Sequence, residues 1–186
     1  MTREAILDAV DVLLARYGYR KMTIDDVATE AGVGKGTIYL HFESKEELVL
    51  SHVDRIVDRV VARMNDIAAS RAAWPEQARR MLRERVLMRF DAVQHYRESL
   101  SELLGSIRPA LLARRKRHFA REAEILCRAL AKGGFREDAA AETADAMLVA
   151  TNALLPFSLS VRELGARAEI ERIVDRIATL LVKGAR

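Results

Sequence analysis

Within the eleven residues from Lys35 to Lys45 lie an ammonium group at each end and, between them, Thr37, Tyr39 and His41. All five side chains can donate a hydrogen bond to an anion, a set suited to binding phosphate oxygens rather than to reacting with a substrate. Lys35 and Lys45 stand at what read as helix starts. A lysine is unfavourable there, because the helix macrodipole already places about half a positive charge at that end. A bound anion removes the conflict, since one phosphate can satisfy both the lysine and the free backbone N–H groups of the first turn. Gly36, beside them, costs a helix on the order of 1 kcal/mol relative to alanine. That loss makes sense where a side chain would collide with a partner surface.

The elements that position these residues follow from local signals. Ile6, Val10, Leu13, Leu14 and Tyr17 form the apolar stripe of a first helix from Arg3 to Tyr17, ended by Gly18. Thr23 with Asp26 three residues on is a capping-box pattern for a second helix, whose Ile24, Val27, Ala28 and Ala31 line one face. Gly32 stops that helix, Val33 plugs the turn and Gly34 precedes a third helix, Lys35 to Phe42. Two short helices joined by a Gly-containing turn, with a longer helix to pack on, make a helix-turn-helix layout, although an ordinary helical hairpin shares the pattern. At about 100° per residue, Ile38 and Phe42 point inward while Gly36 and Leu40 point outward, flanked by Thr37 and Tyr39. A major groove admits such a face: its phosphate walls accept Thr23, Lys35, Tyr39, His41 and Lys45, and its floor meets Thr37 and Leu40.

Composition narrows the class. Half of the 186 residues are hydrophobic, 5% are aromatic, and no strand-like alternation is sustained, so the fold reads as all-α. The single Cys127 excludes an intramolecular disulfide framework and a multi-cysteine zinc site and reads as a buried apolar residue. No apolar run approaches the roughly 18 residues of a membrane span, and the amino terminus lacks a secretory segment, so a cytoplasmic protein with no membrane partner is expected. Net charge is +4, yet the first 45 residues carry six basic groups (Arg3, Arg16, Arg20, Lys21, Lys35, Lys45) against seven acidic ones (Glu4, Asp8, Asp11, Asp25, Asp26, Glu30, Glu43). Placement, and not bulk charge, must carry any anion recognition. There is no phosphate-cradling Gly loop, no HExxH, and no nucleophile motif, and His41, His52, His95 and His118 are scattered. No enzyme activity, metal site or cofactor is expected.

Beyond Ser44 and Glu47, a second capping pattern, a long fourth helix carries Leu48, His52, Ile56, Val60, Met64 and Ile67, with His52 read as a core histidine. Trp74-Pro75 opens a fifth helix to about Val93; a sixth crosses Leu100 to Ile107, and Pro109 starts a seventh that Gly133-Gly134 closes. An eighth helix carries Met147, Leu148, Thr151, Leu154, Leu155 and Leu159, and a ninth Ile170, Ile173, Val174, Ile177 and Leu181. These last faces suit either a four-helix seam between two copies of the chain or an internal core. Pro156, placed inside the eighth helix, should free the Asn152 carbonyl. Met64, Met88, Phe90, Phe119, Met147, Asn152 and Phe157 are candidate liners of a pocket for a hydrophobic small molecule, and core packing explains each of them as well. The basic run Arg114 to His118 spreads around a helix and reads as a solvated face.

The stretch TIDDVATEAGVGKGTIYLHFESKEELV, Thr23 to Val49, resembles the DNA-binding segment of the TetR family of transcriptional regulators. The resemblance covers about the first 50 residues. It implies an all-helical chain of about nine helices, with a three-helix reader over 1–46 and a larger effector-binding and dimerisation domain over 47–186. Carried over by position, the family's DNA contacts fall on Thr23, Lys35, Gly36, Thr37, Tyr39, His41 and Lys45. Leu40 departs from the larger or more polar residue common in relatives, which bears on the operator sequence. The expected function is a homodimeric repressor of a (pseudo)palindromic operator, released by a small-molecule effector; the alternative is a small-molecule-binding or scaffolding helical protein that keeps the amino-terminal hairpin for packing.

Overall fold

The structure is a computed structural model that describes residues 2–156 and 164–185. Among those residues are eight α-helices: α1 (Thr2–Lys21), α2 (Ile24–Glu30), α3 (Lys35–His41), α4 (Lys45–Ala69), α5 (Trp74–Ala92), α6 (Leu100–Lys132), α7 (Glu137–Asn152) and α8 (Arg167–Gly184), with a 3-10 helix at Gln94–Ser99. The chain forms two compact units. Residues 1–56 and 93–113 make the first, residues 57–92 and 114–186 the second. Both α4 and α6 therefore belong partly to each.

In the first unit, α1 buries Ile6, Leu7, Val10, Leu13 and Leu14 and packs on α2 and on the 3-10 helix. Its straight run ends at Gly18, whose φ of 72° lies outside helical space. Tyr17 departs from the expected stripe. It is exposed, its ring lying 5.8 Å from the Arg16 guanidinium carbon, because the stripe is already complete at Leu14. His52 is buried as expected, 3.4 Å from the Asp11 carboxylate and 3.5 Å from the Tyr96 hydroxyl. The Ser44 hydroxyl accepts the Glu47 N–H at 3.0 Å, so α4 does begin on a cap.

The second unit is built on one apolar core that draws Val60, Met64 and Ile67 from α4, Met81 and Leu82 from α5, Leu126 and Leu130 from α6, Met147 and Leu148 from α7, and Val182 from α8. Cys127 is half-buried against it. Trp74 opens α5 and stacks edge-on against Phe135, ring centres 4.9 Å apart.

Two expectations about helix ends are corrected. Pro109 does not separate two helices; it lies inside the single α6. Losing one N–H costs a helix about 3 kcal/mol, and the burial of Leu103, Ile107 and Leu111 around the proline offsets it. The described residues thus hold eight α-helices, in keeping with the expected all-α fold of about nine. Nor does Pro156 sit within α7: that helix ends at Asn152, and the Asn152 carbonyl accepts the Leu155 N–H at 3.1 Å and is not freed. Leu159 and Phe157 lie outside the described residues. In the basic run, Lys116 and Arg117 are exposed, but His118 is buried.

Gly133 closes α6 with its N–H on the Leu130 carbonyl at 2.9 Å, and a Cβ there would stand 2.2 Å from the Trp74 ring and 2.8 Å from the Trp74 Cβ. Gly133→Ala must displace that indole, which should destabilise the chain by about 1 to 3 kcal/mol. Urea unfolding followed by the fluorescence of Trp74, the sole tryptophan, measures it; an unchanged midpoint would contradict the contact.

Candidate nucleic-acid interface

Two short helices carry the candidate surface, and each is set by its ends. At the start of α2 the Thr23 hydroxyl accepts the Asp26 N–H at 3.1 Å and donates to the Asp26 carboxylate at 2.7 Å, while that carboxylate accepts the Thr23 N–H at 2.9 Å. Hydrogen bonds from the Thr23 side chain and then its backbone hold the Asp26 carboxyl below its ordinary range. At the far end, the Val33 N–H reaches back to the Ala28 carbonyl (2.9 Å) and the Gly32 N–H to the Thr29 carbonyl (3.2 Å). This double closure needs a left-handed residue between, and Gly32 supplies it at φ 65°. Gly34 then enters α3 in extended conformation and its carbonyl accepts the Thr37 N–H at 2.9 Å.

That geometry fixes the faces of α3. Ile38 and Phe42 are buried. Leu40 is 83% exposed and Tyr39 51%, and His41 and Gly36 also face solvent, with Thr37 half-buried beside them. A Cβ on Gly36 would meet nothing within 4 Å. The fold itself therefore does not require glycine at this position.

The two lysines differ. Lys35 begins α3 and reaches back to the Asp25 carboxylate, 2.9 Å away; both groups are exposed, and that hydrogen bond raises the lysine pKa. Lys45 begins α4 but turns toward the end of α1, its Nζ 4.5 Å from the centre of the Tyr19 ring and donating to the Arg20 carbonyl at 3.2 Å. Partial burial lowers its pKa. Gly36, Thr37, Tyr39, Leu40 and His41 thus share one short helix with Lys35 at its mouth, whereas Lys45 is packed inward and the Thr23 hydroxyl is engaged in the cap.

One set of contacts in this unit had no signal in the sequence. The Arg20 N–H donates to the Glu102 carboxylate at 2.7 Å and the Ser99 hydroxyl reaches the Leu14 carbonyl at 3.4 Å, so the first turn of α6 is tied to the tail of α1. Partners 82 residues apart cannot be paired by local spacing.

Residues 6–51 match the profile of bacterial regulatory proteins, tetR family. The Mycobacterium tuberculosis HTH-type transcriptional repressor KstR2 is 28% identical over 144 residues, which cover 73% of this chain and 70% of that protein. Over residues 6–51 the chain is thus similar to the TetR family of regulators. An HTH-type transcriptional regulator of Bacillus subtilis, YerO, is 29% identical over 102 residues, 55% of this chain but only 35% of that protein. The likeness of fold extends over the whole chain: the transcriptional regulator FadR of Bacillus subtilis, solved in complex with stearoyl-CoA, superposes with a TM-score of 0.66 at 18% identity over 97% of this chain and 98% of its own. The relatives are transcriptional regulators, and no helix among the described residues is long and apolar enough to cross a membrane.

The candidate effector residues lie in the second unit. Met64 and Met147 are buried in the core, Met88 packs against it, and Phe90 is buried. Phe119 is half-buried with its ring 5.1 Å from the Arg85 guanidinium carbon, and the Asn152 side-chain carbonyl accepts from Arg85 at 2.6 Å. Arg85, with Arg89 and Glu122, was missed in the sequence, where charged side chains read as surface.

The cap at α2 yields a direct test. Thr23→Ala removes both bonds of the hydroxyl and should lower stability by about 1 kcal/mol. Chemical denaturation checks it, and a loss below a few tenths would mean that the cap contributes nothing.

Proposed function

We propose that this chain is a homodimeric, ligand-responsive transcriptional repressor that reads a (pseudo)palindromic operator through α3 and has no enzymatic role. The observation that carries the reading is the outward face of α3. An apolar residue as exposed as Leu40, next to Tyr39 and a glycine that no contact within the chain demands, is suited to a surface that approaches closely. Residues 1–46 serve as the reading head and residues 47–186 as the effector-binding and dimerisation domain.

On this reading Lys35 exchanges Asp25 for a phosphate oxygen, Tyr39 and His41 donate to the groove wall, and Thr37 and Leu40 meet base edges or thymine methyls. The α3 backbone N–H groups add their own attraction at the same phosphate. Lys45 acts at the start of α4 once it leaves Tyr19, and Thr23 contributes at α2 while still capping it.

Val149 on α7 and Leu180 on α8 are 68% and 62% exposed, which supports a seam between two copies on these helices. A two-headed reader must hold its recognition helices about 34 to 36 Å apart to enter successive major grooves. Because α4 and α6 each run through both units, an effector that displaces their distal parts changes the placement of the heads, and the two spacings exchange as a population shift. The tie between Glu102 and the Arg20 N–H transmits the movement of α6 to the tail of α1. For the effector we propose an apolar, acyl-like molecule among Met64, Met88, Phe90, Phe119, Met147 and Asn152, a reading that the stearoyl-CoA-bound FadR supports.

Tyr39→Ala should weaken binding to a duplex selected by the parent chain by about 1 to 3 kcal/mol without lowering the melting temperature. Parent-like affinity, measured by fluorescence anisotropy across a salt series, would remove α3 from the interface. Leu180→Glu should convert dimer to monomer in light scattering; an unaltered dimer mass would place the seam elsewhere.

A further inference from the structure

The second unit buries an unequal set of charges. Arg85 is 0% exposed, Arg89 5% and Glu122 0%. Both guanidinium groups converge on the Glu122 carboxylate, Arg85 on one oxygen and Arg89 on the other. Arg85 also donates to the Thr151 hydroxyl at 2.9 Å and to the Asn152 side-chain carbonyl at 2.6 Å, and Arg89 donates to the Arg85 carbonyl at 3.0 Å. Among the described residues two cations thus face one anion, in surroundings where unbalanced charge is strongly disfavoured. Arginine does not escape by losing its proton.

The electrostatics agree with that inequality. Burial would push the Glu122 carboxyl up, but Arg89 and Arg85 outweigh it and hold the carboxyl below its ordinary range. Burial lowers the Arg85 pKa, Glu122 opposes the shift, and Arg89 and Arg115 reinforce it. Arg115 and Arg85 also share one aromatic ring, Phe119, at 4.8 and 5.1 Å. Glu122 gives each guanidinium one oxygen, so both are hydrogen-bonded while their charge is only half balanced by it, and an arginine fork of this kind is the usual receiver of a carboxylate.

Apolar core adjoins the cluster. Met147 and Leu148 precede Thr151 on α7, and Met81 and Leu82 precede Arg85 on α5, all of them buried core residues. Methionines adapt readily to a flexible chain.

We propose that Arg85 and Arg89 form the head-group subsite of the effector, so that the effector is an amphipathic carboxylate whose acid group balances the charge that Glu122 leaves over and whose apolar part enters the methionine-lined core. The proposal rests on the effector-controlled reading above. Glu122 competes with the incoming acid for the same two guanidinium groups, and Asn152 and Thr151 hold Arg85 in place as the ligand carboxylate arrives.

The test compares decanoate with 1-decanol, the same chain length without the charge, by calorimetric titration of the full chain. It is paired with release of the selected duplex in fluorescence anisotropy. Decanoate should bind at least about tenfold more tightly, the worth of a charge-assisted hydrogen bond. Arg89→Gln should abolish the preference for the acid, Arg89→Lys should restore part of it, and Glu122→Gln should increase it by removing the competitor. A purely structural role moves the melting temperature of both neutral variants without moving the preference in opposite directions. Equal affinity for the two probes, binding of neither, or a preference untouched by both Arg89→Gln and Glu122→Gln overturns the subsite. Preferential binding of decanoate with the duplex still held keeps the subsite and removes effector control; release by 1-decanol as readily as by decanoate does the reverse.

Discussion

The turn from Ala31 to Gly34 governs everything α3 can do. Both α2 and α3 are seven residues long, too short to persist in isolation. Their stability comes from the Thr23 cap, from the paired hydrogen bonds that Gly32 permits, and from the burial of Val27, Ala28, Ile38 and Phe42. A residue at position 32 that resisted left-handed geometry would rotate α3 about its own axis, and only about half a turn separates the Ile38 face from the Leu40 face. The direction in which Leu40 points is therefore decided by a backbone angle several residues away.

Once that direction is set, the properties of the outward face follow. Leu40 and Tyr39 carry apolar area into solvent, Gly36 leaves a gap, and Lys35 is held at the helix mouth by Asp25. The ion pair between Lys35 and Asp25 is exposed and contributes little to stability, so an anion can take over the lysine at small loss. Lys45, set on the Tyr19 ring and the Arg20 carbonyl, is the more firmly bound of the two. Glu102 holds the adjacent N–H of the same Arg20, which joins the tail of α1, the start of α4 and the start of α6 at one place.

Legibility in the sequence tracked the range of the interaction. Thr23, Gly32, Gly34 and the inward pair Ile38 and Phe42 could be read because caps, left-handed stops and helical periodicity act over four residues or fewer. Pro109 was misread for the complementary reason: its local penalty is real, but the burial of Leu103, Ile107 and Leu111 that overrides it depends on packing with no local signature. α7 stops at Asn152, ahead of Pro156, an end that the apolar spacing through Leu159 concealed. Arg85, Arg89 and Glu122 were invisible because burial of a charge is decided by its partners, and Glu122 lies 37 residues from Arg85. Asn152 was singled out, though for a freed carbonyl; its side chain instead receives Arg85. Tyr17, counted into the α1 stripe, shows that periodicity does not say where a buried face ends.

The central claim is that the Leu40 face of α3 lies in the major groove of a duplex bound by two copies of the chain. Selection of bound duplexes from a random pool tests it most directly. The account predicts enrichment of an inverted repeat whose half-sites are centred about one helical turn apart, or a multiple of it. Enrichment of no sequence, or of a single half-site without its inverted copy, would contradict it.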